Sequence, residues 1–409
     1  MEAIRLFKLL NRDQRNTFVA CFLGWSLDAF DFFLLTFVIA AMAHDFGTSI
    51  AQLSYAITLT LAMRPVGAFI FGLLGDRFGR RVPLMIDVIF YSVMEFLTAF
   101  SPNYTWLLIF RALYGIGMGG EWGLGASLAM ESLPTEARGL FSGILQQGYA
   151  FGYLLAALVY GIVFPFFGWR GLFVAGALPA FLVIYIRARV PESPAWLRQR
   201  STANFWSNLG AVVKQHWLLF LYVILLMTAF NAMSHGTQDM YQTFLGEQRG
   251  FGVELKSTIG VIYAVGAICG GTVVGHLSQK WGRRRAIILA AVFGIILIPA
   301  WVFSPSFSLL VIGGFAMQFM VQGAWGIVPV HLNELSPGEL RGTFPGFAYQ
   351  LGNLFAANTA VVEARLADHF RDASGHPDYA KALALFSLII FVALIVLAAI
   401  GREERGKQF

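Results

Sequence analysis

Long apolar runs alternate with short polar stretches along the whole chain, and they predict twelve membrane-spanning helices. A helix needs roughly 20 predominantly apolar residues to cross the hydrocarbon of a bilayer, and the runs are too long for the strands of a membrane barrel. Most connections are short, so no folded soluble domain is expected between the runs. The predicted segments, numbered 1 to 12, lie near residues 17–41, 50–75, 83–101, 104–128, 139–165, 170–189, 216–240, 255–278, 286–304, 307–330, 343–366 and 380–400.

Segment 7 departs from this apolar pattern at its end, where a polar stripe begins. At about 100° per residue, the side chains of the stripe fall on one face of a helix. Polar groups are costly in hydrocarbon, so this face is expected to line a wet cavity and to bind substrate. A structural role for His235, and a contact at the helix end for Asp239, are the alternatives. The stripe consists of Asn231, His235, Gln238, Asp239 and Gln242.

Composition and charge support a membrane protein. Hydrophobic residues make up 57% of the 409 residues and charged residues only 13%, with a mean hydropathy of +0.66; a soluble domain has about 25% charged residues. The net charge of +6 does not indicate nucleic acid as a partner. When the loops are assigned alternately to two sides, most Lys and Arg residues share the side of both termini. This pattern predicts a multi-pass protein of the inner or plasma membrane with cytoplasmic termini.

The chain repeats itself at a shift of 203 residues. The stretch Gly72–Arg81 returns as Gly275–Arg284, and Glu131–Gly139 returns as Glu334–Gly342. Two motifs at one shift, close to half the length, indicate two duplicated six-helix halves. The expected organisation is an N-terminal bundle, a cytoplasmic linker and a C-terminal bundle at residues 1–189, 190–215 and 216–409.

The repeated loop carries a family resemblance. Its first copy reads G-x-x-x-D-R-x-G-R-R and resembles the signature loop of the major facilitator superfamily. Arg111-x-x-x-Gly115-x-Gly117 and Pro191-Glu192-Ser193-Pro194 add to the resemblance. It implies an all-α membrane protein with twelve transmembrane helices in two pseudo-symmetric bundles, which works by alternating access.

Further motifs narrow the resemblance to the sialate:proton symporter branch. They are Gly24–Asp31, Arg64–Gly67 and Gly119–Trp122. The stretch Asn231–Thr243 is similar to a lactate permease motif, N-x-x-[S/T]-H-x-[S/T]-Q-D-x-x-x-T, and matches it at every fixed position. The resemblance implies proton-coupled uptake of lactate, pyruvate or a similar short monocarboxylate.

Two buried carboxylates, Asp28 and Asp31 in segment 1, are the first candidates for proton coupling. A buried carboxylate can alternate between a charged, paired state and a neutral one. Resemblance to sugar:proton symporters implies that an aspartate of segment 1 pairs with Arg111 of segment 4, and Asp31 aligns best. A permanent ion pair that locks the two helices is the alternative. Glu121 is a further candidate, with a structural hydrogen bond as its alternative.

An anionic substrate needs a cation on its path. Arg64 and Arg111 are the only Lys or Arg residues deep within the segments, and either could hold a carboxylate. Arg64 could instead bind carbonyls freed by a helix break at Pro65. Gln147 and Gln350 match at the 203 shift and are expected to face each other across the cavity, near Asn353. Helix–helix hydrogen bonding is the alternative for both glutamines.

The repeated loops predict a cytoplasmic gate. Acidic and basic side chains there can form ion pairs that hold the inner side shut. In the second copy Gln279 replaces Asp76, so an equally strong contact is not expected there. The gate residues are Asp76, Arg77, Arg80, Glu131, Arg138, Glu334 and Arg341.

Other functions fit the sequence less well. The chain lacks the G-x-x-x-x-G-K-[S/T] motif of ATP-driven transport, and no nucleophile, base and orienting group cluster as in an enzyme. No cofactor and no metal are expected, and Cys21 and Cys269 are not expected to form a disulfide. A sialic acid carrier, another organic-acid symporter or an anion exchanger are alternatives within the same fold, and a transporter-like sensor is a remote one. We expect a monomer that binds protons and a small organic anion within the bilayer.

Overall fold

The computed structural model describes residues 2–199, 205–371 and 375–409, and this part of the chain is helical without a strand. Short 3-10 or π-helical turns connect some of the helices. The α-helices are α1 (Glu2–Leu9), α2 (Arg12–Asp45), α3 (Ile50–Phe78), α4 (Arg81–Ala99), α5 (Tyr104–Ser132), α6 (Arg138–Gln146), α7 (Gly148–Ala175), α8 (Leu182–Arg189), α9 (Pro194–Gln199), α10 (Phe205–Gln238), α11 (Tyr241–Thr243), α12 (Val253–Trp281), α13 (Arg283–Ile298), α14 (Phe307–Trp325), α15 (Val328–Leu335), α16 (Phe344–Ala356), α17 (Thr359–His369) and α18 (Tyr379–Ile400).

These helices form the twelve expected crossings. Within the described residues, nine helical stretches are long and apolar enough to span a membrane. The fourth crossing is α5, the sixth is the end of α7 with α8, and the eleventh combines α16 and α17. Gly168, with φ 61° and ψ −163°, separates the fifth and sixth crossings within α7. The seventh crossing, α10, begins at Phe205, inside the stretch expected to be a linker.

Local sequence explains where the first crossings begin. Asn11 precedes α2, and its side chain accepts a hydrogen bond from the backbone N–H of Gln14, whose side chain bonds back to Asn11. Ser49 and Gln52 form the same reciprocal capping box at the start of α3. Each box satisfies two backbone N–H groups that have no partner within the helix.

The duplication extends to backbone conformation. Gly79 and Gly282 occupy equivalent positions of the repeated motif and have φ angles of 97° and 96°. Carboxylates of Glu192 and Glu403 lie against them and accept hydrogen bonds of 2.8 to 3.3 Å from the first backbone N–H groups of α4 and α13. A Cβ at Gly79 would overlap Glu192, and one at Gly282 would lie 2.9 Å from Glu403 Oε2. Both positions therefore need glycine, for conformation and for space.

The two halves pack against each other on one side only. Within the N-terminal half α3 packs on α5 and α2 on α7; within the C-terminal half α12 packs on α14 and α10 on α16. Between the halves, α6 contacts α12 and α3 contacts α16. The backbones approach so closely there that a Cβ at Gly123 would lie 2.9 Å from Gly346. These contacts lie towards the side that carries both termini, and they leave a cavity open deeper between the halves.

Candidate functional site

A cavity of about 570 Å³ lies between the two halves and receives side chains from both. The polar face predicted for segment 7 borders this space, since all five of its residues line the cavity: Asn231, His235, Gln238, Asp239 and Gln242. Of the eight residues predicted to bind substrate, all except Gln350 line it: Arg64, Gln147, Asn231, His235, Gln238, Asp239 and Asn353.

Arg64 brings a permanent positive charge to the cavity. The residue is only 3% exposed, and its Nε and Nη2 atoms have no hydrogen-bond partner among the described residues. Its guanidinium carbon lies 6.0 Å from the centre of the Tyr349 ring. The helix α3 continues through Pro65 rather than ending there. Two guanidinium nitrogens beside the cavity are therefore left without a protein hydrogen-bond partner in the described part of the chain.

The stripe on α10 is ordered by its own hydrogen bonds. His235 Nδ1 lies 3.1 Å from Asp239 Oδ2, and His235 Nε2 lies 3.4 Å from Asn353 Oδ1 of α16. Asn231 donates to the Met227 carbonyl one turn back, at 2.8 Å. The side chains of His235 and Asp239 are 39% and 38% exposed, so this pair is accessible from the cavity.

A set of amides and hydroxyls on α14 and α10 completes this wall, and sequence analysis did not single it out. Gln238 Nε2 donates to Gln318 Oε1 at 3.1 Å, and Gln318 Nε2 donates to Thr237 Oγ1 at 3.2 Å. Gln322 Nε2 donates to Ser234 Oγ at 3.3 Å. Two glutamines spaced four apart in an apolar segment, one helical turn, were the available signal.

Aromatic rings from both halves form much of the rest of the cavity lining. Trp25 stacks on Tyr149 with 5.4 Å between ring centres, and Trp325 meets Tyr349 edge-on at 5.6 Å. All four residues line the cavity. Rings with a polar atom fit a site that is apolar over most of its surface and binds a few polar groups of a ligand.

The placement predicted for Gln350 is wrong. It is 1% exposed, does not line the cavity, and has no hydrogen-bond partner for its amide among the described residues. Its repeat partner Gln147 lies at the junction of α6 and α7 and faces Gly271 of α12. Gln350 instead lies within the unbroken α16, so Tyr349 and Asn353 face the cavity in its place. The break between α6 and α7 therefore makes Gln147 and Gln350, which are equivalent in the repeat, point in different directions.

The pairing expected between Asp31 and Arg111 is also wrong. Arg111 Nη1 donates to Glu95 Oε2 of α4 at 2.6 Å, with both side chains completely buried. The guanidinium also lies over the Tyr114 ring, 4.0 Å from its centre. Asp31 remains in the neighbourhood, since a Cβ at Gly176 would lie 2.6 Å from Glu95 Cγ and 3.1 Å from Asp31 Oδ1. Arg111 thus has two carboxylates near it and bonds to the one on the adjacent helix.

Three more buried carboxyls lie in the same half. Asp28, Asp87 and Glu121 are 0% exposed, and their carboxylate oxygens have no hydrogen-bond partner within the described part of the chain. Tyr114 donates to the backbone carbonyl of Asp28 at 2.9 Å. Glu121 lies against Gly24 of α2, where a Cβ would overlap its Oε1. None of these groups lines the cavity, so none of them is placed for direct contact with a substrate there.

Ion pairs and hydrogen bonds of the first loop connect the two halves. Asp76 accepts from the backbone N–H groups of Gly342 and Thr343 at 2.6 and 3.0 Å, and from Arg80 at 2.9 Å. Arg80 in turn binds Glu131 at 3.1 Å, and Glu131 lies 3.5 Å from Arg341 of the other half. A continuous polar network therefore spans the contact between the halves, as expected of a closed gate.

The second loop keeps its ion pair within its own half. Glu334 binds Arg283 at 2.9 Å, and Arg283 also donates to Gln279 at 2.7 Å. Arg138 donates to backbone carbonyls of Leu133 and Lys407, while Arg77 lies beside the Phe78 ring and forms no described ion pair. Of the predicted gate residues, Glu334 therefore pairs within its own half, and Arg77 has no ion pair among the described residues. Arg283 belongs to the charge network, although sequence analysis did not select it.

Comparison with known proteins identifies the family. The family model described as Major Facilitator Superfamily matches residues 21–357 and, in a second match, residues 224–408. The chain belongs to the major facilitator superfamily. It is a multi-pass membrane transporter rather than an enzyme, and its resemblance to this superfamily is confirmed.

Several relatives of this superfamily member carry names of transporters. A carboxylic acid transporter protein homolog of Saccharomyces cerevisiae is 31% identical over 421 residues, covering 95% of this chain and 68% of its own. The sialic acid transporter NanX of Escherichia coli is 27% identical, covering 98% and 97%. In structure, the proton:xylose symporter XylE has a TM-score of 0.76 with 18% identity, covering 97% of each chain, and shares the fold.

Sequence analysis missed three acidic residues that this superfamily member buries within its crossings. Glu95 and Asp87 lie in predicted segment 3, and Glu363 lies in predicted segment 11. All three are at most 1% exposed. An ionisable residue within an apolar segment is a functional candidate by default, so the signal was present in the pattern.

Proposed function

We propose that the protein carries a short monocarboxylate of the lactate or pyruvate type inwards together with a proton, as a monomer of the inner or plasma membrane. The observation that carries this proposal is the position of Arg64, a buried arginine that lines a cavity between the halves and whose Nε and Nη2 atoms have no hydrogen-bond partner among the described residues. A guanidinium can bind a carboxylate through two parallel hydrogen bonds. Arg111 is bound to Glu95 and lies away from the cavity, which favours Arg64 as the anchor.

The opposite wall supplies groups for the rest of a small hydroxy or keto acid. The His235 imidazole and the amides of Asn353 and Gln318 can bind a hydroxyl or keto oxygen. The name of the Saccharomyces cerevisiae relative, a carboxylic acid transporter protein homolog, supports a carboxylate as substrate. The complete lactate permease motif in Asn231–Thr243 supports the smaller acids within that class.

Proton coupling is assigned to the buried charges of the N-terminal half. In the proposed cycle Asp31 takes a proton from outside, the anion binds, the halves rock, and both are released inside. Arg111 stabilises the ionised form of Asp31 when Glu95 releases it, and Asp28 and Glu121 adjust the local charge. Moving one anion against a negative interior costs about 2.3 kcal/mol per 100 mV. A co-transported proton removes that cost.

The network around Asp76, Glu131 and Arg341 acts as the closed inner gate of this cycle. With both termini in the cytoplasm, as the distribution of Lys and Arg favours, the contacts between the halves lie on the inner side. The cavity then faces outwards. Opening inwards must break the bonds from Gly342 and Thr343 to Asp76.

Reconstitution in liposomes tests the proposal. Uptake of labelled lactate, pyruvate and sialic acid is measured with and without an imposed inward pH gradient. We expect accumulation of lactate or pyruvate only with the gradient. The absence of gradient-dependent uptake for every monocarboxylate would overturn the proposal.

Transport of a larger organic acid, including sialic acid, is the second candidate. A cavity of about 570 Å³ has room for more than a three-carbon acid, and NanX of Escherichia coli covers nearly the same length. The same liposomes distinguish the two, because labelled sialic acid would be taken up in preference to lactate. An anion exchanger would instead show counterflow without any response to the pH gradient.

A further inference from the structure

A carboxyl group that the proposed cycle does not use lies in the C-terminal half. Glu363 belongs to α17, in the eleventh crossing, and is 1% exposed. Neither of its carboxylate oxygens has a hydrogen-bond partner among the described residues. Burying an ionised carboxylate without a partner is very costly, so such a group tends to hold a proton. The protonation state of the Glu363 carboxyl therefore depends on the charges around it.

The neighbours of Glu363 are the charged residues of the substrate wall. The helix α17 packs against α10 and α18. On α10, a Cβ at Gly236 would lie 3.3 Å from Glu363 Oε1, and Gly236 is adjacent to His235 in the chain. Asp239 directly follows this helix and acts electrostatically on Glu363, and Tyr263 of α12 is within electrostatic reach.

No cation compensates Glu363 from the other side, as far as the described residues show. The nearest residues of α18 to Gly236 are Phe386 and Ser387, neither of which carries a charge. Lys381 lies at the start of α18 and binds Asp378 at 3.0 Å. Among the described residues, the titratable groups within electrostatic reach of Glu363 are Asp239 and Tyr263, and His235 is the partner of Asp239.

We propose that Glu363 is a second proton-coupling residue, whose protonation is required for an anion to bind beside His235. This inference rests on the proposed symport of a monocarboxylate. Ionised Glu363 would place a second negative charge next to Asp239. In a low-dielectric site that charge repels an incoming carboxylate and holds the His235 cation towards Asp239.

The proton balance of this step is simple. A proton from the outer solution binds a Glu363 carboxylate oxygen as the anion enters and balances the charge of that anion. The proton taken by Asp31 is a second one, so one cycle moves two protons with one anion. After the halves rock and the anion leaves, the O–H bond breaks and the proton passes to the inner solution. Asp239, which is half-exposed at the cavity, and His235 offer the path between Glu363 and water.

The pH dependence of substrate binding tests this role. The dissociation constant of the best substrate among lactate, pyruvate and sialic acid is measured on purified protein between about pH 5 and about pH 10. For the unmodified protein we expect the constant to rise by about tenfold per pH unit at the alkaline end, as one required proton is lost. Glu363→Gln cannot ionise, so it should keep tight binding there and lose that rise.

Two further measurements keep the result decisive. Asp368→Asn is the matched control, because Asp368 lies on the same helix, is 59% exposed and binds Arg371; its pH profile should equal that of the unmodified protein. Glu363→Gln should retain counterflow exchange in liposomes, which shows that it is folded, and should accumulate less substrate at a given pH gradient, because only the proton of Asp31 remains coupled.

Each outcome separates the two proposals. Equal pH profiles for Glu363→Gln and the unmodified protein would overturn the role of Glu363 and leave the symport proposal intact. A flat pH profile of the unmodified protein, combined with normal gradient-driven uptake, would also overturn the role of Glu363 and leave the symport proposal intact. If the unmodified protein shows no gradient-driven uptake of any of the three acids, both proposals fail.

Discussion

Arg111 binds Glu95, on the helix that precedes its own, and not an aspartate of the first crossing. The distance from Nη1 to Glu95 Oε2 is 2.6 Å, and neither side chain is exposed. A buried pair of this kind contributes little compared with an apolar replacement, but removal of one partner leaves an uncompensated charge. Substitution of only one residue of this pair should therefore destabilise the N-terminal half.

A double-mutant cycle should reveal this interaction. Arg111→Gln leaves buried Glu95 without its cation and should lower stability by about 3 kcal/mol or more. Adding Glu95→Gln removes the orphan charge, so the double variant should be more stable than Arg111→Gln alone. Thermal unfolding in detergent measures both. Strictly additive losses would show that the two side chains do not interact.

Proton coupling through Asp31 predicts a separation of two activities. Asp31→Asn keeps the shape of the side chain but cannot ionise, so accumulation driven by a pH gradient should fall while exchange of labelled for unlabelled substrate persists. Asp13→Asn, at the exposed start of the same helix, is the control and should accumulate substrate normally. Uphill uptake by Asp31→Asn at the normal rate would remove Asp31 as the coupling site.

Substitutions at Arg64 should separate the contribution of its positive charge to substrate binding from that of its planar donor geometry. Arg64→Lys keeps a positive charge but loses the planar pair of donors, so the dissociation constant of a monocarboxylate should rise by about tenfold, and Arg64→Gln should raise it further. Equilibrium binding of labelled substrate measures both constants. Arg77→Gln, towards the end of the same helix and away from the cavity, should leave them unchanged. Equal affinity for Arg64→Lys and the unmodified protein would contradict bidentate binding.

Gly79 should be more sensitive to substitution than a glycine with similar backbone freedom. Gly79→Ala suffers both a positive φ and an overlap with Glu192, whereas a methyl group at Gly47, with φ 61°, would meet no heavy atom within 4 Å. Both variants should lose about 1 kcal/mol from the backbone, and only Gly79→Ala should lose more. Thermal unfolding compares them directly, and equal losses would exclude the steric contribution of Glu192.

Much of the fold can be predicted from the sequence, because the length of the apolar runs and the repeated loop depend directly on what the backbone needs. A run of about 20 apolar residues must cross as a helix, and a repeated loop with glycine at positions 79 and 282 demands the same turn twice. The wall formed by α10 follows for the same reason, since the spacing of Asn231, His235 and Asp239 fixes one face of a helix.

Which side chains contact each other between helices cannot be predicted from the sequence in this way. Arg111 has both Asp31 and Glu95 nearby, and helix rotation and packing decide which one it reaches. Gln350 shows the same limit, because the junction after Gln146 has no counterpart in α16. Equivalence of positions in a repeat therefore predicts the helix on which a side chain lies more securely than the partner that it contacts.

The close packing of α3 on α5 has a mechanical consequence. At Gly115 a methyl group would overlap the Thr60 carbonyl, and at Gly119 it would overlap the carbonyl of Arg64 itself, so the two backbones touch without side chains between them. Because the backbones of α3 and α5 are in direct contact, Arg64 and Arg111 should move together, and the distance between them should stay fixed while the halves rock. In the proposed cycle, binding of the anion at Arg64 and of the proton near Arg111 would therefore be coupled electrostatically rather than by sliding of α3 past α5.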